Sequence, residues 1–261
     1  MAKVAFYTMN LKGYITLKCF IEKNGANAVA YIVSSNDKAI KKDYYDEIWA
    51  LATKSKIKVF NRSEDFLDLE KNLDIYKFVI GWRWLIKNEN KLIIFHDSLL
   101  PKYRGFSPLV NSLINKESEL GVTALQASKN YDQGDIIAQK KININYPIKI
   151  NEAIERITPL YFNLADKVYK ELTNNDGFKV KKQNEKNATY SLWLDNKDYL
   201  INWSWSAEKI KRFVDAVGYP YDGAKTFLDG VIINFVDVEV VDDVFIENRN
   251  RHLGKIIFMK N

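Results

Sequence analysis

His96 ends the apolar run Leu-Ile-Ile-Phe-His and opens the loop Asp-Ser-Leu-Leu-Pro-Lys-Tyr-Arg-Gly-Phe-Ser-Pro. The stretch Tyr-Asp-Gln-Gly-Asp-Ile-Ile brings Asp132 36 residues later. An imidazole at the polar end of an apolar strand, met by a carboxylate from a second turn, is a candidate acid/base pair. The position is favourable, because open α/β sheets bind ligands beyond the carboxyl ends of their strands. The loop after His96 also runs into Ser107-Pro108, a helix start whose free N–H groups favour anions. A glycine-rich dinucleotide fingerprint is absent, since residues 8–13 read Thr-Met-Asn-Leu-Lys-Gly, and no phosphate-cradling G-x-x-x-x-G-K-[ST] loop occurs.

These residues need a sheet to carry them, and the first half of the chain alternates strand and helix patterns. Strands are predicted over 3–9, 28–34, 57–60, 78–81 and 92–95. Several are apolar on both faces, as sheet interiors between helix layers are. Tyr14, Leu17 and Ile21 fall at helical spacing before Gly25, and a second helix is predicted over 42–55. A helix over 107–114 and strands over 122–127 and 136–144 follow. Asn151 is expected to cap a long helix reaching Leu172, with Ile154, Ile157, Tyr161, Leu164 and Val168 on one face and Pro159 removing a hydrogen bond. The polar stretch 173–187 reads as a linker. Beyond it come Trp193, Trp203 and Trp205, then a helix burying Ile210, Phe213, Val214 and Val217. Strand-like runs at 224–228, 231–240 and 255–258 complete a small C-terminal module.

The bulk numbers set limits. The 261 residues, 47% hydrophobic and 28% charged, suit an ordinary globular chain with an ample core. No apolar run reaches the ~18–20 residues of a membrane span, and the N-terminus lacks a signal pattern. One cysteine, Cys19, excludes an internal disulfide and fits a reducing cytoplasm. With His96 and His252 far apart, little material remains for a zinc site, and no metal is expected. The net charge of +6 comes from lysines spread among acidic residues, which reads as a solvated surface rather than a nucleic-acid footprint.

The combination H-D-S-L-L-P-K-Y-R-G, then G-V-T at 121–123, then D-Q-G-D-I-I resembles the 10-formyltetrahydrofolate-dependent formyltransferase family in order and spacing. The resemblance implies a Rossmann-like, α/β formyltransferase domain with a mostly parallel sheet over residues 1–175. It extends more faintly over 188–261, where S-A-E-K-I-K-R-F-V-D-A-V-G-Y-P-Y-D-G-A-K-T looks like a shortened OB-like domain. One departure stands out. The family's catalytic set has an asparagine two residues before the histidine, and here that residue is Ile94. Three explanations stay open: a substitute donor such as Ser98, Thr123, Asn130 or a water; a mechanism resting on His96 alone; or a non-catalytic nucleotide-sugar-binding relative.

The resemblance makes His96 and Asp132 the catalytic residues. It lays the folate against Gly81, Trp82, Arg83, Trp84 and Leu85, with Tyr131 and Gly134 closing the other side. The amine substrate would meet Asn10, Lys12, Gly13, Ser98, Lys102, Tyr103, Arg104 and Gly105, the basic ones reaching phosphates. Among the family's branches the chain is most similar to the sugar N-formyltransferases. The alternative is a methionyl-tRNA formyltransferase, for whose basic tRNA-facing linker this chain offers only Lys179, Lys181, Lys182 and Lys186. The form of the motif is most similar to the subgroup acting on UDP-linked 4-amino sugars, which implies a nucleotide-linked 4-amino-4,6-dideoxy sugar, as used in bacterial surface glycans. A cytoplasmic homodimer is implied by analogy.

Overall fold

A computed structural model describes residues 2–64, 73–86, 90–174 and 177–257. The β-branched and aromatic runs form a seven-stranded sheet in the order β3-β2-β1-β4-β5-β7-β8. Its parallel part comprises β1 (Val4–Thr8), β2 (Val29–Ser34), β3 (Val59–Asn61), β4 (Tyr76–Ile80) and β5 (Leu92–His96). Then β7 (Glu119–Gln126) runs antiparallel to β5, and β8 (Ile136–Asn143) antiparallel to β7. The expectation of a mostly parallel Rossmann-like sheet holds.

Helix α1 (Asn10–Asn24) and the long α4 (Ile150–Thr173) cover one face of the sheet. Phe6, Phe20, Phe78 and Phe95 interlock there edge to face, with Tyr169 of α4 against Phe20. Helix α4 buries the five residues its spacing predicted and tolerates Pro159 within it. It starts at Ile150 with Lys149 as its cap, two residues before the expected cap Asn151. Helix α2 (Tyr45–Lys54) is shorter than the predicted 42–55, because Asp43 accepts the Tyr45 and Asp37 backbone N–H groups and holds the preceding turn. Helix α3 (Pro108–Ile114) carries its proline in the first turn.

The polar stretch after α4 returns to the sheet instead of spanning open space. Lys181 bridges Ile136 of β8, and β9 (Tyr190–Ser191) pairs in parallel with β6 (Arg104–Gly105) in the loop after His96. Helix α5 (Ala207–Val217), capped by Ser206, packs on α3, and Phe213, Val214 and Val217 join the main core. The C-terminal region then holds one hairpin, β10 (Ala224–Leu228) with β11 (Val231–Phe235). The strand expected over 231–240 stops at Phe235, and residues 255–257 form none; Phe258 lies outside the described residues. The alternating pattern persists past Phe235, but among the described residues no neighbouring strand pairs with it.

Candidate functional site

His96 is the last residue of β5, and its imidazole is buried at the carboxyl edge of the sheet. Its Nε2 lies 2.8 Å from the carbonyl oxygen of Tyr103. A carbonyl can only accept, so Nε2 carries a proton, and in the neutral ring Nδ1 keeps the lone pair. That Nδ1 faces Asp132 Oδ2 at 3.6 Å. Neutral His96 is therefore set up as a base, with a carboxylate beside it to stabilise the imidazolium that forms on proton uptake.

Asp132 reaches this place because residues 127–135, which join β7 to β8, fold back along the sheet. Asp132 itself takes a left-handed conformation, φ 54°. Its Oδ2 accepts from the Gly105 N–H at 2.8 Å. Gly134 permits the fold-back, since a Cβ there would overlap the backbone oxygen of Gln126. The segment after α4 then fastens the loop from outside. Gln183 Nε2 donates to the carbonyls of Asp132 (2.6 Å) and Gly134 (2.8 Å). Thr189 Oγ1 accepts from Tyr103 N at 2.8 Å, fixing the residue whose carbonyl orients His96.

Arg104 belongs to this brace and not to a phosphate site. Its side chain is fully buried, forks onto Glu185 (2.7 and 2.8 Å), and gives Nε–H to Gln183 at 3.0 Å. The ion pair raises the guanidinium pKa and lowers that of Glu185. Lys102 is exposed on Glu117 (3.2 Å), and Tyr103 O–H donates to the same carboxylate at 2.8 Å. Burial pushes the Tyr103 phenol up to about 12. Ser98 donates to Lys102 O at 2.7 Å, and Gly13 is buried within α1. None of Gly13, Ser98, Lys102, Tyr103, Arg104 and Gly134 lines the cavity, whereas the other sequence-predicted residues do.

That cavity has a volume of about 610 Å³. On one side stand Gly81, Trp82, Arg83, Trp84 and Leu85, with Tyr131 from the folded-back loop. Trp82 packs edge to face on Trp84, centroids 5.3 Å apart, and its indole N–H is buried without a partner among the described residues. An unpaired buried donor in a cavity wall suits a polar ligand edge. Arg83 is held by Asp37 and lies 4.1 Å from the Trp193 ring centroid. The lining also includes Asn10, Lys12 paired with Asp97, and the aromatic residues Tyr44, Trp193, Tyr199 and Tyr219. Asp97, Gln183 and those tyrosines escaped the sequence reading. The only signals were the Trp-rich stretch and the Tyr-Pro-Tyr turn, neither of which said what it faces.

Among the described residues, no group of three or more His, Cys, Asp or Glu side chains is placed to hold a metal ion. No helix among them is long and apolar enough to cross a membrane.

Similar proteins fall in one family. The chain is 30% identical over 244 residues to the bifunctional polymyxin resistance protein ArnA of Wigglesworthia glossinidia brevipalpis, covering 87% of this chain and 36% of that one. It is 31% identical over 166 residues to the methionyl-tRNA formyltransferase of Halothermothrix orenii, covering 63% and 52%. The chain thus spans between a third and about half of the length of these curated relatives. An N-formyltransferase from Helicobacter canadensis, solved in complex with folinic acid and dTDP-3-aminofucose, superposes with a TM-score of 0.64 at 21% identity, over 83% of this chain and 80% of that one. At that identity the likeness shows the fold. Family models described as formyl transferase and formyl transferase C-terminal domain match residues 73–164 and 194–260, which together are more than half of the chain. With His96 and Asp132 inside the first match and the hairpin region inside the second, this chain belongs to the formyl transferase family.

Proposed function

We propose that this chain transfers a formyl group from 10-formyltetrahydrofolate to the amino group of a nucleotide-linked 4-amino-4,6-dideoxy sugar. The observation that carries the reading is the His96 ring, its Nε2 on the Tyr103 carbonyl and its Nδ1 beside Asp132, in the wall of one cavity lined by both tryptophans and tyrosines. The side formed by residues 81–86 and Tyr131 suits a flat pterin, with the Trp82 N–H unpartnered. The further lining residues Tyr44, Tyr199, Tyr219 and Lys12 suit a nucleobase and a charged sugar nucleotide. The amine attacks the formyl carbon, His96 Nδ1 takes its proton, and Asp132 stabilises the imidazolium. The same proton then goes to the departing folate nitrogen.

The Helicobacter protein's ligands, folinic acid and a dTDP-linked amino sugar, support both halves of the reading. The second reading, formylation of methionyl-tRNA, is favoured by the Halothermothrix relative. Against it, residues 181–191, where a basic linker would have to meet tRNA, are fastened to the catalytic loops. A homodimer is part of the proposal: the β10–β11 hairpin leaves Phe227, Val231 and Ile232 more than half exposed. The test is tetrahydrofolate release from 10-formyltetrahydrofolate across a panel of UDP- and dTDP-linked 3- and 4-amino sugars and charged initiator tRNA. Turnover with a 4-amino sugar that is lost in His96→Ala is expected. Turnover on tRNA alone refutes the sugar reading, and binding of the sugars without turnover refutes the enzyme.

A further inference from the structure

Formyl transfer needs a base for the amine and a hydrogen-bond donor for the carbonyl oxygen as it becomes negative. The geometry at His96 supplies only the base, because its one N–H is spent on the Tyr103 carbonyl. Ile94 lines the cavity and has no polar atom. Thr123 gives its hydroxyl proton to Ser98 O at 2.6 Å, and Ser98 gives its own to Lys102 O; neither side chain lines the cavity. Asn130 donates to Gln133 Oε1 in the exposed part of the loop. The Lys12 ammonium is held by Asp97, whose carboxylate would accompany it and oppose a second negative charge.

Asn10 differs from all of these. It lines the cavity, as Asn130 also does, but Asn130 is exposed, whereas Asn10 is half-buried and its carboxamide is oriented by two backbone groups. Oδ1 accepts from Lys12 N at 3.1 Å, and Nδ2 donates to Gly81 O at 3.3 Å. An amide nitrogen carries two hydrogens, so one N–H has no partner among the described residues. Its location is the decisive point. The β4–β5 ladder ends at the pair Ile80 and Phe95, and the next residues are Gly81 and His96. The Asn10 carboxamide lies directly against Gly81, so closely that a Cβ on Gly81 would overlap it. The backbone there, φ +64° at Gly81 and φ 56° at Asn10, is shaped around this contact.

We propose that the free Asn10 N–H is the oxyanion donor, supplied from the first residue of α1, just after β1, in place of an amide at position 94. The step balances without another reagent. The nucleophile's lone pair forms the new bond to the formyl carbon while the C=O π pair moves onto the oxygen held by Asn10. His96 Nδ1 takes the nucleophile's proton. The oxygen's pair then re-forms the C=O, the bond to the folate nitrogen breaks, and that nitrogen receives the proton from His96. This inference rests on the formyl-transfer reading, but not on which amine is formylated.

The experiment therefore uses water as the acceptor: acceptor-free hydrolysis of 10-formyltetrahydrofolate to tetrahydrofolate and formate by the full chain, with folinic acid affinity measured beside it. Asn10→Asp keeps the acceptor for the Lys12 N–H and removes the donor. It is expected to slow hydrolysis by about 100-fold with folinic acid binding unchanged, and Asn10→Ala to behave alike. Ile94→Asn added to Asn10→Ala is expected to recover at least about tenfold of the lost rate, as an amide from the neighbouring strand restores the donor. Hydrolysis near the wild-type rate in Asn10→Asp overturns the proposal. So does a loss matched by an equal loss of folinic acid affinity, which would make Asn10 a loop-shaping residue. If wild type formylates none of the panel sugars while these variants behave as expected, the substrate reading fails and the donor assignment stands.

Discussion

Gln183→Ala tests whether the segment after α4 holds the catalytic loops in place. The side chain makes three hydrogen bonds: two donated to the Asp132 and Gly134 carbonyls at 2.6 and 2.8 Å, and one accepted from Arg104 Nε at 3.0 Å. Two neutral bonds contribute about 1 kcal/mol each and a charge-assisted one about 1.5–3 kcal/mol. Water can reach the half-buried Asp132, so the low end applies to its carbonyl, while Gly134 is buried, and the net loss should be about 3 kcal/mol. The Asp132 carboxylate keeps its Gly105 N–H, which limits the catalytic damage. A shift of ~1 Å at a reacting group costs about 100-fold, so partial loosening should lower kcat about tenfold.

Urea unfolding gives the stability, and tetrahydrofolate release, or acceptor-free hydrolysis, gives kcat. Gln183→Glu separates the two halves of the contact. It keeps an oxygen for Arg104 but sets a carboxylate against two carbonyls, so it should be better folded than the alanine variant at low pH only, where the new carboxyl is protonated and can donate. A Gln183→Ala chain within about 0.5 kcal/mol of wild type and within twofold in kcat would show that residues 181–191 are a passive connection.

Three further outcomes follow from the same geometry. Gly134→Ala places a methyl on the Gln126 carbonyl and should cost about 1–3 kcal/mol with a matching fall in kcat, read by thermal unfolding and turnover. Asp132→Asn keeps an acceptor for the Gly105 N–H and removes the charge facing His96, so kcat should fall about 100-fold or more with folinic acid affinity retained. The Glu185 carboxyl is held below its ordinary value of 4.5 by Arg104. Its contribution to stability is full above that value and lost as pH falls through the lower folded pKa. Glu185→Gln should therefore flatten the acid limb of a stability-against-pH curve, and an unchanged limb would place the acid sensitivity elsewhere.

What the sequence discloses here is mostly local, and what it hides is mostly pairing across distance. The helical spacing of Ile154, Ile157, Tyr161, Leu164 and Val168 is a property of one segment, and α4 buries that face. His96 was legible because an apolar strand must end where its pleat meets solvent. Arg104 was not, because an arginine in a Pro- and Gly-marked loop looks the same whether it faces a phosphate or a carboxylate from Glu185, far along the chain. The stretch 173–187 has no periodicity, and polarity was read as freedom. Yet its backbone and Gln183 satisfy carbonyls that a folded-back loop would otherwise leave open. Ile94 shows the same limit from the other direction. A missing amide is visible within one strand, but its replacement is not, because the donor comes from the start of α1, just after β1, and reaches the neighbourhood of His96 only through the register of three strands, β1, β4 and β5. Motif spacing on a single segment can therefore report a site as incomplete when the sheet edge completes it.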